Sequence, residues 1–238
     1  MSATFLEIAL SNDTLEQLKS SGYSLYVFLP VMSSNKSGVP LVWECRQNYL
    51  ANTTITIPEA NVGYISTDDI AKNRSISIGS QASVSCGQML TVSATGTLSE
   101  SASQLPGIYF TNDSSTSYRC GLARQASEDL VPYCAFNLSA KLTVSCALVD
   151  AAFVFFATST YDPGTYLEAS LGQGIYLETQ PGGTTTATFD LGNGWSAMTD
   201  GRSSTIVPQG ANLVETLIQR PSHNQPCRLA SPHPLERN

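Results

Sequence analysis

Only 13% of the residues in this chain are charged, about half the usual share. Each charged side chain with room around it is therefore a candidate for chemistry. The stretch "TSYRCGLARQ", Thr116 to Gln125, places two arginines on what reads as a β-strand. Side chains alternate across a strand, so Tyr118, Cys120, Leu122 and Arg124 share one face and Ser117, Arg119, Gly121 and Ala123 the other. One long cation among three small residues predicts ligand space around Arg119. Gly121 permits close approach of a ligand or another backbone, and the guanidinium offers a fork of donors to a carbonyl or phenolate oxygen. The competing reading is a surface arginine on a solvent-facing strand. Arg119 and its neighbour Tyr118 are the candidate catalytic residues.

The candidate substrate-binding residues are Arg46, Tyr49, Tyr64, Tyr109 and Trp195. In "VWECRQ", Trp43 and Cys45 share one strand face and Glu44 and Arg46 the other. That pattern predicts a core tryptophan and a solvent-facing Glu44–Arg46 pair. The tyrosines either line a cavity or fill the interior of a sandwich. Trp195 follows "DLGNG", a strand end or loop tip, where an exposed indole can stack on a ligand.

Most conventional machinery is missing. Only two histidines occur, His223 and His233, both in the C-terminal tail, which excludes a Ser–His–Asp triad inside the fold. Six cysteines form no CxxC pair, so no zinc site is expected. "GNG" at Gly192 to Gly194 lies between strand-like runs rather than before a helix, which excludes a phosphate loop. Asp68-Asp69 reads as turn capping or solvation rather than a catalytic pair. No metal and no cofactor is therefore expected. The formal net charge of −7 and the lack of a basic run exclude a nucleic-acid role. No apolar stretch reaches the roughly 18 residues of a transmembrane helix.

The even cysteine count fits either reduced thiols or up to three disulfides in a secreted protein. In the second case Cys120, Cys134 or Cys146 is the expected partner set, with Cys227 fixing the tail. Six N-x-S/T sequons, at Asn12, Asn35, Asn52, Asn73, Asn112 and Asn137, favour a glycosylated, secreted chain. "MSATFLEIAL" has no signal-peptide pattern. The expected location is the secretory pathway if a leader has been removed and the cytoplasm otherwise.

The elements that must position these residues are almost all strands. "SNDTLEQLKSSG" is the one helix predicted, near Asp13 to Ser20, with Ser11, Asn12 or Asp13 as cap and Gly22 as stop. Aromatic and β-branched runs such as "YSLYVFLPV", "TTITIP", "VGYIST" and "AAFVFFATSTY" recur every 8 to 12 residues between turn signals, the spacing of a sandwich or barrel. "CALVDAAFVFFA" reads as one or two strands buried on both faces. "GIYLETQPGGTTTATFDLGNGW" reads as a hairpin around "QPGG". The expected fold is all-β, an antiparallel β-sandwich or jelly roll. Its halves are expected at 1–98 and 106–218, followed by an extended proline-rich tail at 219–238.

"SGYSLYVFLPV", "PLVWECRQNYLANTTITIPE", "AAFVFFATSTYDPGT" and "DLGNGWS" together resemble a group of small fungal β-sandwich proteins. Some cofactor-free fungal proteins of this general kind act as pericyclases in secondary metabolism. Those of tropolone–sesquiterpenoid pathways catalyse a hetero-Diels–Alder coupling. The resemblance implies a cofactor-independent cyclase acting on an apolar small molecule. It supplies no catalytic motif, so the site residues above rest on the strand pattern alone.

Such a reaction needs two reactants held in one geometry and a donor on the oxygen that gains charge. Two other classes share the lack of machinery. A carbohydrate-binding sandwich would use exposed Trp195 and tyrosines with polar loops. A membrane-active cytolysin would use exposed aromatics and the lone helix. An enclosed pocket favours the enzyme, a shallow polar groove rimmed by aromatics the lectin, and a flat aromatic patch the cytolysin.

Overall fold

The computed structural model describes residues 3–35, 37–198 and 202–221. The expected tail beyond residue 221, with His223, Cys227 and His233, lies outside them. Strands make up 52% of the described residues and helices 7%, which establishes the all-β, sandwich-like class.

The described strands form four sheets. The first runs Gly194–Met198, Thr184–Asp190, Ala3–Leu10, Asn52–Pro58. The second runs Leu98–Ala102, Gln88–Val92, Ile108–Asn112, Thr143–Leu148, Val31–Met32, Ile218–Gln219. The third runs Val39–Pro40, Cys134–Leu138, Tyr118–Ala126, Asn61–Ser66, Ser80–Val84, and Asp129–Pro132 also pairs with Tyr118–Ala126. The fourth runs Ser204–Val207, Gly174–Glu178, Ala151–Ala157, Ser24–Phe28, Glu44–Arg46.

Every sheet takes strands from both sides of the boundary expected near residues 99–106, and Leu98–Ala102 is itself a strand. The two sequence halves are thus interleaved rather than stacked as separate units. The hairpin expected around "QPGG" is also corrected. Gly174–Glu178 belongs to the fourth sheet, whereas Thr184–Asp190 crosses to the first and pairs in parallel with Ala3–Leu10. The true hairpin is one turn later, Thr184–Asp190 with Gly194–Met198.

Burial explains the layering. Ala151–Ala157 is buried at every position, as its unbroken apolar run requires. Ala152, Val154 and Phe156 enter the main core with Leu6, Ile8 and Trp43. Phe153, Phe155 and Ala157 enter a second cluster with Tyr26 and Phe28. Leu213 and Leu217 join that cluster from a second helix, Leu213–Leu217, capped by Asn212. The predicted helix is present at Asn12–Ser20, where the Ser11 side chain accepts from the Thr14 N–H at 3.1 Å.

No pair of described cysteines lies at disulfide distance, which corrects the expectation for Cys120 and Cys134. They sit on adjacent strands, but Cys120 faces Phe136 in the register and Cys134 is two residues further along, a diagonal too wide for a disulfide. Cys134 Sγ instead accepts from the Leu122 N–H at 3.4 Å. Among the sequon asparagines, Asn112 is fully buried. Its amide donates to the Thr116 and Leu138 carbonyls at 2.7 and 3.3 Å.

Candidate functional site

The gap beside Arg119 is filled by protein. Gly121 lies opposite Tyr64 in the neighbouring strand, and a Cβ on Gly121 would come within 2.9 Å of the Tyr64 ring and 2.0 Å of the Cys134 carbonyl. The tyrosine is completely buried and its hydroxyl donates to that carbonyl at 2.9 Å. Burial holds its phenol pKa well above the ordinary value. Gly121 and Ala123 are small because Tyr64, Ala135 and Tyr166 pack over that face of the strand. Arg119 itself reaches outward to Asp69 at 2.5 Å, and the Asp69 side chain is 86% exposed. Tyr118 is half-buried against the main core. This placement corrects the reading of the Arg119 face as ligand space.

Two of the remaining aromatic candidates, Tyr49 and Trp195, are interior as well. Tyr49 is buried, and its hydroxyl donates to the Tyr23 carbonyl at 3.0 Å. Its phenol is pushed up to about 12 by desolvation. Tyr109 is half-buried and donates to the Pro106 carbonyl at 2.9 Å. Trp195, expected at an exposed tip, is only 5% exposed. It faces Phe189 across the hairpin, stacks on Phe156 with ring centroids 5.5 Å apart, and donates from Nε1 to the Gln173 carbonyl at 2.9 Å. None of Tyr49, Tyr64, Tyr109 and Trp195 lines either of the two grooves described below.

Arg46 is different. It sits on the edge strand Glu44–Arg46 and lines a groove of about 940 Å³. Its Nε donates to Glu44 Oε1 at 2.5 Å and its Nη1 to the Thr54 carbonyl at 3.1 Å, so the side chain ties the fourth sheet to the first. The pair formed as the strand pattern predicts, but it is not a solvent pair. Glu44 is buried, and the Arg46 side chain is 28% exposed. A buried carboxylate needs its partner, because an uncompensated charge there is strongly unfavourable.

The facing walls come from two segments without motifs, 75–78 and 126–132. Ile76, Ile78, Leu130, Val131 and Pro132 supply apolar surface. Asp68 supplies a fixed carboxylate. Ser77 donates to its Oδ2 from N–H at 2.7 Å and from hydroxyl at 2.5 Å, and these bonds hold its pKa below the usual carboxylate value. Cys45 also lines the groove, but burial pushes its thiol pKa up, so it stays protonated and is a poor nucleophile. The groove thus presents three carboxylates, Glu44, Asp68 and Asp129, and one guanidinium.

Among the described residues, no cluster of His, Cys, Asp and Glu is placed to hold a metal ion, and no helix is long and apolar enough to cross a membrane. Comparison with protein-family models, with curated proteins and with solved structures finds no match. Sequence reasoning reached Arg46 through the alternation of "WECR". It missed Glu44 as a buried anchor and Asp68 as a fixed acceptor. The signal for Asp68 was the Ser77 that caps it, nine residues away.

Proposed function

We propose that the protein binds a neutral, oxygen-bearing small molecule in the groove over the Glu44–Arg46 pair and promotes a cofactor-independent ring-forming cycloaddition there. One observation carries this reading. Arg46 is immobilised by Glu44 and Thr54 while its Nη2 has no hydrogen-bond partner among the described residues. A donor fixed before the reaction costs no reorganisation when charge develops on the acceptor. The apolar wall of Ile76, Ile78, Leu130, Val131 and Pro132 suits a hydrocarbon reactant.

The chemistry follows the resemblance noted in the sequence. A heterodiene O=C–C=C and an alkene meet face to face in parallel planes. One C–O and one C–C bond form, three π bonds become one, and every atom is retained. No proton or electron carrier is consumed. Arg46 donates to the heterodiene oxygen, and the groove supplies proximity, an effect that reaches roughly 7–11 kcal/mol in well-oriented systems. Three carboxylates against one guanidinium favour a neutral ligand over an anionic one. A sugar-stacking platform is not what this groove offers, since no aromatic side chain lines it. Among the described residues the exposed large apolar side chains are Phe5, Leu50, Leu105, Leu142, Leu191 and Ile206, a single aromatic rather than an aromatic patch.

The test is a titration of the full chain with tropolone methyl ether, followed by amide chemical shifts. Saturable shifts confined to residues 44–48, 75–78 and 126–132 are expected. Arg46→Lys keeps the charge beside Glu44 but loses the fork, and is expected to weaken binding by about tenfold, or roughly 1.4 kcal/mol. Arg119→Ala is expected to bind like the parent. Shifts elsewhere, no saturation at millimolar ligand, or full affinity in Arg46→Lys would overturn the proposal.

A further inference from the structure

The geometry points to a second ligand site, in a separate groove of about 480 Å³, that takes a neutral polyhydroxylated ring of saccharide type. Its floor is aromatic and rigid. The half-buried Phe189 and Tyr23 present aromatic surface to the groove, and Phe189 is braced by the buried Phe156 at 5.2 Å and by Trp195 at 4.9 Å. Leu18 from the Asn12–Ser20 helix closes one side.

The rim is built from uncharged amides. Asp190 organises the turn, its Oδ1 accepting from the Gly192 N–H at 2.9 Å and from the Asn193 N–H and Nδ2 at 3.0 Å each. Its Oδ2 accepts from the Thr14 hydroxyl at 3.3 Å. The Asp190 charge is therefore engaged by protein donors, which hold its pKa below the usual carboxylate value, and Asp190 does not line the groove. Asn193 Oδ1 has no hydrogen-bond partner among the described residues. The Gln173 carboxamide makes no hydrogen bond among the described residues, and its Oε1 lies close over Gly194, 2.7 Å from where a Cβ would stand. Gln209 Nε2 donates to the Leu171 carbonyl at 2.9 Å, and its oxygen accepts no hydrogen bond among the described residues.

The ligand class follows from these groups. No charged side chain lines the groove, so an ionic ligand would lose hydration without a counter-charge. A purely apolar ligand would desolvate the open carboxamides without replacing their hydrogen bonds. A neutral pyranose meets both surfaces, its C–H face on the aromatic floor and its hydroxyls on Gln173, Asn193 and Gln209. The volume lies in the ordinary range for small-molecule sites.

The experiment is saturation-transfer difference NMR on the full chain with a panel of neutral methyl pyranosides, and with glucuronate and glucose 6-phosphate as anionic probes. At least one neutral pyranoside is expected to bind saturably, and neither anion. Gln173→Ala keeps the backbone carbonyl that holds Trp195 and is expected to weaken binding by about fivefold or more, the scale of one hydrogen bond. Leu191→Arg, at a position 46% exposed, is expected to block the mouth with an unchanged melting temperature. Arg46→Lys is expected to bind the sugar like the parent, which separates this site from the larger groove. The inference is overturned if no neutral pyranoside saturates, if an anion binds equally well, or if both Gln173→Ala and Leu191→Arg retain parental affinity.

Discussion

Replacing Gly121 by alanine tests whether the space beside Arg119 is packed. The added Cβ would stand 2.0 Å from the Cys134 carbonyl oxygen and 2.9 Å from Tyr64 Cε1. Neither neighbour is a flexible tip. One is backbone of the adjacent strand, and the other is a fully buried ring held by its own hydrogen bond. Overpacking of this kind costs about 1–3 kcal/mol. Pulling the Tyr64 hydroxyl off the Cys134 carbonyl leaves buried polar groups unpaired, for about 1–3 kcal/mol more. The sum, roughly 2–6 kcal/mol, is a large part of the stability of an ordinary domain. For a chain of this size it corresponds to a melting temperature lower by about 5–20 °C. Urea and thermal unfolding of the purified variant measure it. If the position were ligand space, a methyl group would enter it freely. A Gly121→Ala protein that melts within about 2 °C of the parent, less than 1 kcal/mol, refutes the packing argument.

Other outcomes follow from the same geometry. Arg119→Ala is expected to change stability by less than about 1 kcal/mol, because Asp69 is solvent-exposed and such pairs contribute little; unfolding titrations decide it. Asn112→Ala removes a side chain that bonds two carbonyls and accepts from Ser114, and is expected to cost about 2–4 kcal/mol in the same assay. Burial raises Cys134, Tyr49 and Tyr176 each to about 12. Because these folded values exceed the unfolded ones, the unfolded chain releases its protons first. Stability is then full below about pH 9 and falls between about pH 9 and 12, which melting temperature against pH records. Buried Cys120 and Cys134 are expected to resist alkylation in the native protein and to react on unfolding without reductant, as mass spectrometry reads directly.

The fold class was legible because alternation and turn spacing are local signals. Which strand pairs with which was not. Thr184–Asp190 reads as the partner of the strand just before it, yet it aligns in parallel with residues 5–10 at the other end of the chain. Alternation names the face of a strand and says nothing about its neighbour. The Leu213–Leu217 helix did carry a signal, Asn212 as cap with Glu215 three residues on, but its five residues are too few for a periodic pattern. Trp195 was misplaced because a glycine-rich turn suggests exposure, whereas the cross-strand contact with Phe189 buries it. Small residues around Arg119 signal close approach correctly, but a tyrosine from the adjacent strand makes that approach. At the larger groove, "WECR" made Arg46 visible, while the walls at 75–78 and 126–132 are ordinary loop and strand residues brought there by tertiary packing.

The central claim is that the Arg46 groove holds two reactants in one geometry. It is tested most directly by the handedness of the product. An achiral heterodiene O=C–C=C and an achiral alkene that combine slowly without protein give a racemic adduct. With the protein, the adduct is expected to form faster and in large enantiomeric excess. Arg46→Lys is expected to lower both the rate and the excess, while Arg119→Ala preserves them. A racemic product at the uncatalysed rate, or an excess that survives in Arg46→Lys and disappears in Arg119→Ala, would contradict the account.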